Sequence, residues 1–301
     1  MSGRTLTFAA GPEDAGRTVK NILGTEFRMA PSLISRVKLR DGGICINGEQ
    51  AHTDRRVSSG DVITADVSDI APYNPAKPAD IPLGILYEDE DLAIIDKPAG
   101  MAVHGGEGGA TVASALAFMW GSGVSFHPVS RLDKGTSGLL IVAKSAYIHD
   151  RLRRMLHTPD FVREYIAAAQ GCVVPDAGAI ELPIAAEPVE GTRRAVSEDG
   201  LPCRTEYSVL CRGKDVTLLR VRPMTGRTHQ IRVHFSAVGH PLCGDAMYGG
   251  SAELIARPAL HSASVILRQP VTGELISVRS PLPADMQELC ERAAADNFTF
   301  R

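Results

Sequence analysis

Asp133 stands between Arg131 and Lys134, directly before Gly135-Thr136-Ser137-Gly138 and an apolar run from Leu139 to Ala143. An aspartate in that place has two uses. Its carboxylate can accept from nearby backbone amides and shape the turn, or it can be held ionised for a reaction as a nucleophile. The residues alone leave both open. Ser137, between two glycines, raises a hydrolase reading, but "GTSG" departs from G-x-S-x-G and an apolar strand rather than a helix follows it. His229, His234 and His240 are five and six residues apart. They do not repeat on one helical face as H-x-x-x-H does, and no carboxylate pattern completes a ligand set, so they read as core or surface histidines and no metal is expected. "HGGEGGAT" (104–111) lacks the Lys-Ser/Thr of a Walker loop and reads as a flexible loop, not a nucleotide cradle.

Basic residues cluster twice. Arg28, Arg36, Lys38 and Arg40 occur with no acidic residue among them, and on a helix Arg36 and Arg40 share a face. Lys144, Arg151, Arg153, Arg154 and Arg163 face only Asp150 and Asp160 in the second stretch. Each cluster is either a solvated face or a phosphate-contacting one that gains affinity through counterion release. The whole chain carries a formal charge of -3, so any polyanion site must be a local patch.

The elements that must position these groups belong to a globular chain of 301 residues, 44% hydrophobic and 22% charged. Apolar runs such as "GLLIVA" are too short to span a bilayer, and the first residues lack the pattern of a signal peptide. Six cysteines without a C-x-x-C pair point to reduced thiols and a cytoplasmic protein. In residues 1–68, "GRTVKNILGTEF" and "PSLISRVKLRDG" predict two short helices, "GGICING" a strand and turn at Asn47-Gly48, and "GDVITADV" a strand. Residues 69–82, with four prolines, predict a linker. From 83 to 301, "LAIID", "LLIVAK", "YIAAAQ", "TEYSVLC", "VTLLRVR" and "ASVILR" predict strands. "TVASALAFMW", "AYIHDRLRRMLH" and "ADMQELCERAAA" predict helices, as does "RTHQIRVHFSAVG" with Ile231, Phe235 and Val238 as its apolar face. Consecutive strands with short gaps favour an α+β fold with a mostly antiparallel sheet.

Several blocks carry a resemblance. "RLDKGTSGLLIVAK" resembles the R-L-D-x-x-T-S-G-L-L signature of the RluA family of RNA pseudouridine synthases. "YEDEDLAIIDKPAGMAVHGG", "REYIAAAQG", "GLPCRTEY" and "TGRTHQIRVHFSAVGHPLCGDAMYG" are similar to further family blocks, in the same order. Ser130 stands where many members have His, and Arg163 where Lys is commoner. Residues 1–68, with the basic second helix, "ICING" and a closing "GDVI", resemble the S4 RNA-binding module.

The resemblance implies the pseudouridine synthase fold, with an S4-like module before it. It implies isomerisation of uridine in structured RNA, ribosomal RNA of the large subunit being favoured over transfer RNA, with no cofactor and no membrane partner. Asp133 becomes the nucleophile, Arg232 its salt-bridge partner, and Tyr165 the aromatic that stacks on the base and helps a proton leave. Arg131, Arg227 and His229 become RNA contacts, with Arg28, Arg36, Lys38 and Arg40 adding a second contact face from the module. Loss of Arg232 is then expected to cost activity and spare folding. The alternatives are a tRNA-directed synthase, or a non-catalytic RNA-binding or ribosome-assembly factor that keeps the fold. A monomer is the default expectation.

Overall fold

A computed structural model of the chain describes residues 4–69, 74, 76–105, 110–121, 124–156, 158–187, 193–295 and 299–300. Thr5–Ala9 (β1), Ile44–Ile46 (β2), Glu49–Gln50 (β3) and Val62–Asp66 (β4) form a four-stranded sheet in the order β1-β4-β2-β3. Val19–Thr25 (α1) and Pro31–Val37 (α2) bury Val19, Ile22, Leu23, Leu33, Ile34 and Val37 in one cluster with Ile44, Ile46 and Ile63 of that sheet. Thr18 caps α1, accepting from the Asn21 amide, and Pro31 opens α2 at its first turn, where a missing N–H costs nothing. The helix α2 stops at Val37, short of Arg40. Gly42 takes a φ of 65°, the Gly43 amide donates to Arg40 O at 3.2 Å, and the chain turns at once into β2. Arg36 and Arg40 therefore do not share a helical face. Strand β1, which the sequence reading left unassigned, pairs with β4.

The second, larger sheet has eleven strands. Gly84–Glu88 (β5), Leu92–Lys97 (β6), His127–Pro128 (β7), Ser137–Ala143 (β8), Phe161–Gln170 (β9) and Ala177–Ile180 (β10) enter it first. Ile184–Ala186 (β11) and Arg194–Val196 (β12) make a separate two-stranded ladder. Thr205–Arg212 (β13), Val216–Pro223 (β14), Leu260–Arg268 (β15), Leu275–Arg279 (β16) and Thr299–Phe300 (β17) complete it. The main path runs β10-β13-β14-β9-β15-β8-β6-β5. Among the described residues every ladder is antiparallel except β15 with β8. Val112–Trp120 (α3), Ala146–Met155 (α4), Gln230–Ala237 (α5) and Ala284–Ala295 (α6) bring the helices to six. The fold is thus a mixed α+β one with a large, mostly antiparallel sheet. Among the described residues no helix is long and apolar enough to cross a membrane.

Strands β6 and β8 are buried on both faces, which is why "LAII" and "LLIVA" read as continuous apolar runs rather than alternating ones. Leu92, Ile94, Leu139 and Ile141 face α4, while Ala93, Ile95, Leu140 and Val142 join Val112 and Leu116 of α3. The α4 side is shared: Tyr147, Ile148 and Leu152 belong to the same apolar cluster as α1 and α2, and Tyr147 OH donates to Phe27 O at 2.9 Å. Asp69 accepts from the Ala146 amide at 3.1 Å and holds His127 Nε2 at 3.1 Å. Of the Pro-rich stretch, residues 70–73 and 75 lie outside the described residues. Asn74 Nδ2 and the Ala79 amide donate to Ala113 O and Ser114 O of α3.

Candidate active site

The loop between β7 and β8 carries Asp133, and its shape is set by main-chain contacts. The Asp133 carbonyl accepts from the Thr136 amide at 3.0 Å and closes the turn. Gly138, at φ 100°, lies so close to β15 that a Cβ would sit 2.3 Å from Ser262 O. Only glycine fits where β8 and β15 pair in parallel. The Asp133 carboxylate takes no part in the turn. Its Oδ2 accepts from Arg232 Nη1 at 3.2 Å, so of its two possible uses the amide-capping one is not made.

Lys97 ties this loop to the next. It is fully buried, and its Nζ donates to Pro98 O and Met101 O at 2.9 Å and to Lys134 O at 3.3 Å. The Gly100 amide also donates to Lys134 O, at 2.8 Å. Burial pushes the Lys97 ammonium down to about 8, against an upward pull from Asp133. Unfolded lysine titrates near 10.4, so between these values the unfolded chain binds more protons and stability from this group rises with pH. Lys97→Met should lower stability at pH 7, because a buried carbonyl left without a donor costs about 1–3 kcal/mol. Urea unfolding should then show the wild type drawing further ahead of the variant at pH 9.5. A constant difference between the two pH values would refute the buried titration.

Arg232 arises from the first turns of α5 and is 6% exposed. Its Nε and Nη2 form a fork on Asp245 Oδ2 and Oδ1 at 2.7 and 2.8 Å, and its guanidinium lies 5.0 Å from the Tyr248 ring centroid. Burial works against the cation, but Asp245 and then Asp133 outweigh it and hold its pKa above the ordinary value. His229, at φ 56° just before α5, places Nδ1 2.8 Å from Tyr248 OH and Nε2 3.8 Å from Asp133 Oδ2. Burial lowers its pKa against the pull of Asp133. Tyr165 of β9 is 6% exposed, and among the described residues its hydroxyl has no hydrogen-bond partner.

These groups line one cleft of about 1980 Å³. Small-molecule pockets run to roughly 300–1,000 Å³, so this one has room for a stretch of polymer. Among the described residues seven of its lining side chains are Lys or Arg, and Asp133 is the one carboxylate. The local basic patch that the overall charge of -3 required is here.

The cleft gathers Asp133, Tyr165, Arg232, Arg131, Arg227 and His229. Arg131 Nη2 donates to Thr228 Oγ1 at 2.8 Å across the rim, and Arg227 is exposed. Arg28, Arg36 and Lys38 are exposed and do not line the cleft. Arg40 is turned inward, where Nη1 donates to Ser68 O at 2.6 Å and Asp66 O at 3.3 Å. The same nitrogen lies 3.8 Å from Asp66 Oδ2, so its charge is met within residues 66–68.

His234 bonds Thr205 Oγ1 and Leu182 O, and His240 bonds Gln170 O, so the three histidines do not converge. Among the described residues no group of three or more His, Cys, Asp or Glu is placed to hold a metal ion. Ser137 Oγ lies 3.0 Å from His261 Nδ1, but both are buried, neither lines the cleft, and Ser137 opens a strand. No nucleophile elbow forms. In "HGGEGGAT", residues 106–109 lie outside the described residues, while His104 and Thr111 border the cleft. Sequence reasoning assigned no role to Lys97, Asp245 or Tyr248, although all three stand inside the quoted blocks.

A family model described as RNA pseudouridylate synthase matches residues 91–237. The ribosomal large subunit pseudouridine synthase D of Pasteurella multocida is 38% identical over 272 residues, covering 83% of each chain. An uncharacterized RNA pseudouridine synthase of Bacillus subtilis, YhcT, is 34% identical over 297 residues, covering 96% of this chain and 98% of its own. Among solved structures, Human RNA Pseudouridylate Synthase Domain Containing 1 shares 26% identity at a TM-score of 0.57, covering 69% of this chain and 86% of its own. Human RNA Pseudouridylate Synthase Domain Containing 4, 24% identical at a TM-score of 0.59, shares the fold over 70% of this chain and 93% of its own. With its blocks in order and matching relatives over most of its length, the chain belongs to the RNA pseudouridine synthase family.

Proposed function

We propose that this protein converts uridine to pseudouridine in ribosomal RNA of the large subunit. The observation that carries the chemistry is a carboxylate, Asp133, hydrogen-bonded to a buried Arg232 at 3.2 Å in a cleft whose other charged walls are basic. The reaction breaks the N1–C1′ bond, rotates the base and joins C5 to C1′, releasing the C5 proton while N1 takes one up, so that product and substrate are isomers. Asp133 attacks the uracil ring or the sugar C1′ and later leaves, as carboxylates do in glycosidases. Arg232 sets its guanidinium against the attacking carboxylate at 3.2 Å and so orients it and balances its charge. Tyr165 stacks on the base, with its hydroxyl open to the cleft for proton transfer. The target must leave its stack to reach these groups, and Arg131 stands at the rim to hold the vacated RNA. A single chain carries the whole set, so a monomer suffices. The names of the large-subunit relatives support the choice of RNA.

The test is tritium release by the wild-type protein from large-subunit RNA made with 5-tritiated uridine, beside a transfer RNA pool. Release from transfer RNA alone would move the substrate, and release from neither would remove the activity.

We further propose that residues 1–68 form an S4-like RNA-binding module, 69–82 a linker, and 83–301 the catalytic domain. Arg28, between the two helices, Arg36 on α2 and Lys38 just past its end are exposed cations of the module. Deleting the module would uncover Tyr147 and Ile148, so the cleaner variant is Arg36→Glu with Lys38→Glu. Affinity for the RNA should fall and the salt slope of binding should shrink by about 2. An unchanged slope in filter binding across a potassium chloride series would show that this face does not touch RNA.

A further inference from the structure

Arg163, from the second basic cluster, has no part in the proposed reaction, and its surroundings are unusual. It is 8% exposed and lines the cleft. Among the described residues its side chain has neither a hydrogen-bond nor an ion-pair partner, and the one contact of its guanidinium is the Phe161 ring, 5.9 Å away. A buried cation without a counter-charge costs folding free energy. The adjacent carboxylate, Glu164, points to the other face of β9, where it holds Arg222 at 2.6 Å and Ser264 at 3.2 Å. The burial of β9 alternates over Phe161, Arg163 and Tyr165, so Arg163 and Tyr165 share a face. Two residues along a strand put them roughly 7 Å apart.

A second cation lines the same cleft. The arginines of α4 are disposed of differently: Arg151 donates to Tyr147 OH and Pro270 O, and Arg154 pairs with Asp150 at 2.9 Å. Arg153 lines the cleft and, among the described residues, its side chain has no partner.

We propose that Arg163 is a phosphate-binding residue that grips the RNA backbone immediately beside the flipped uridine, and that the strand then runs from Arg163 toward Arg153. The proposal rests on the RNA-modifying reading of the same cleft. A guanidinium fork matches two phosphate oxygens, and its place one step from Tyr165 assigns it to a linkage flanking the stacked base. An entering phosphate supplies the counter-charge that no carboxylate among the described residues gives Arg163.

The test uses the full-length protein and a synthetic stem-loop of large-subunit sequence, with single linkages around the target uridine replaced by neutral methylphosphonates. One flanking replacement should weaken wild-type binding by about tenfold. The same replacement should cost Arg163→Gln nothing further, while Arg163→Gln on unmodified RNA binds about tenfold more weakly, with a salt slope reduced by about 1. The loss should appear in KM more than in kcat. Arg163→Lys should keep the salt slope and lose part of the affinity. Arg153→Gln should erase the penalty at a linkage farther from the uridine on the same side. Arg163→Gln should melt no lower than wild type, since an unpaired cation does not hold the fold together. A variant that fails to fold or melts lower would overturn the proposal in favour of a structural role. So would an unchanged slope, or the absence of any linkage whose penalty vanishes. Absence of tritium release by the wild type would remove the proposed reaction instead, because the linkage comparison reads binding alone.

Discussion

Asp133→Asn is expected to fold, bind RNA and release no measurable tritium from large-subunit RNA made with 5-tritiated uridine. The amide keeps the shape of the side chain and removes its power as a nucleophile, so the loss should be at least about 10⁴-fold. Folding should survive for reasons visible around the site. The turn is closed by the Asp133 carbonyl rather than the carboxylate, and the loop is held by Lys97 and Gly138. Arg232, which loses one hydrogen bond, keeps its fork on Asp245. The side chain of Asp133 is 24% exposed, so the cost in stability should stay near that of a partly screened pair, about 1 kcal/mol or less. Binding unchanged with turnover gone would separate nucleophile from RNA contact. Turnover within a hundredfold of wild type would mean that the nucleophile is another group.

What could be read from the sequence depended on how local its cause was. Strands β6 and β8 announced themselves because burial on both faces leaves an unbroken apolar run. Strands β11 and β12, three residues each, carry no period long enough to see. The helix at α5 was legible through Ile231 and Phe235, but Val238 lies at its end and is exposed, since the helix closes at Ala237. Arg40 looked like a surface cation because nothing in its neighbourhood names the carbonyl of Ser68, 28 residues on, as its acceptor. The docking of Tyr147 on Phe27 spans 120 residues, and a Pro-rich stretch between them suggested separation instead. At the site, Asp133 and Arg232 took their roles from matched blocks, whereas Asp245, inside one of the same blocks, was given none. A sequence shows that a carboxylate is present at 245, and only the fold shows that it turns inward to meet a cation thirteen residues earlier.

That inward turn changes what loss of Arg232 should do. With Asp133 as its one partner, Arg232 would be removable without harm to folding. With Asp245 as the forked partner, 1% exposed, the same change strands a buried carboxylate. Arg232→Met should therefore cost about 3–5 kcal/mol in urea unfolding at pH 7. Arg232→Met combined with Asp245→Leu removes both charges and should regain most of the stability, as replacement of a buried ion pair by apolar residues often does. Activity should remain lost in this double variant, because Asp133 still lacks its guanidinium partner. Return of tritium release with the regained fold would show that Arg232 serves Asp245 alone. Full stability in the single variant would show that the fork on Asp245 contributes nothing.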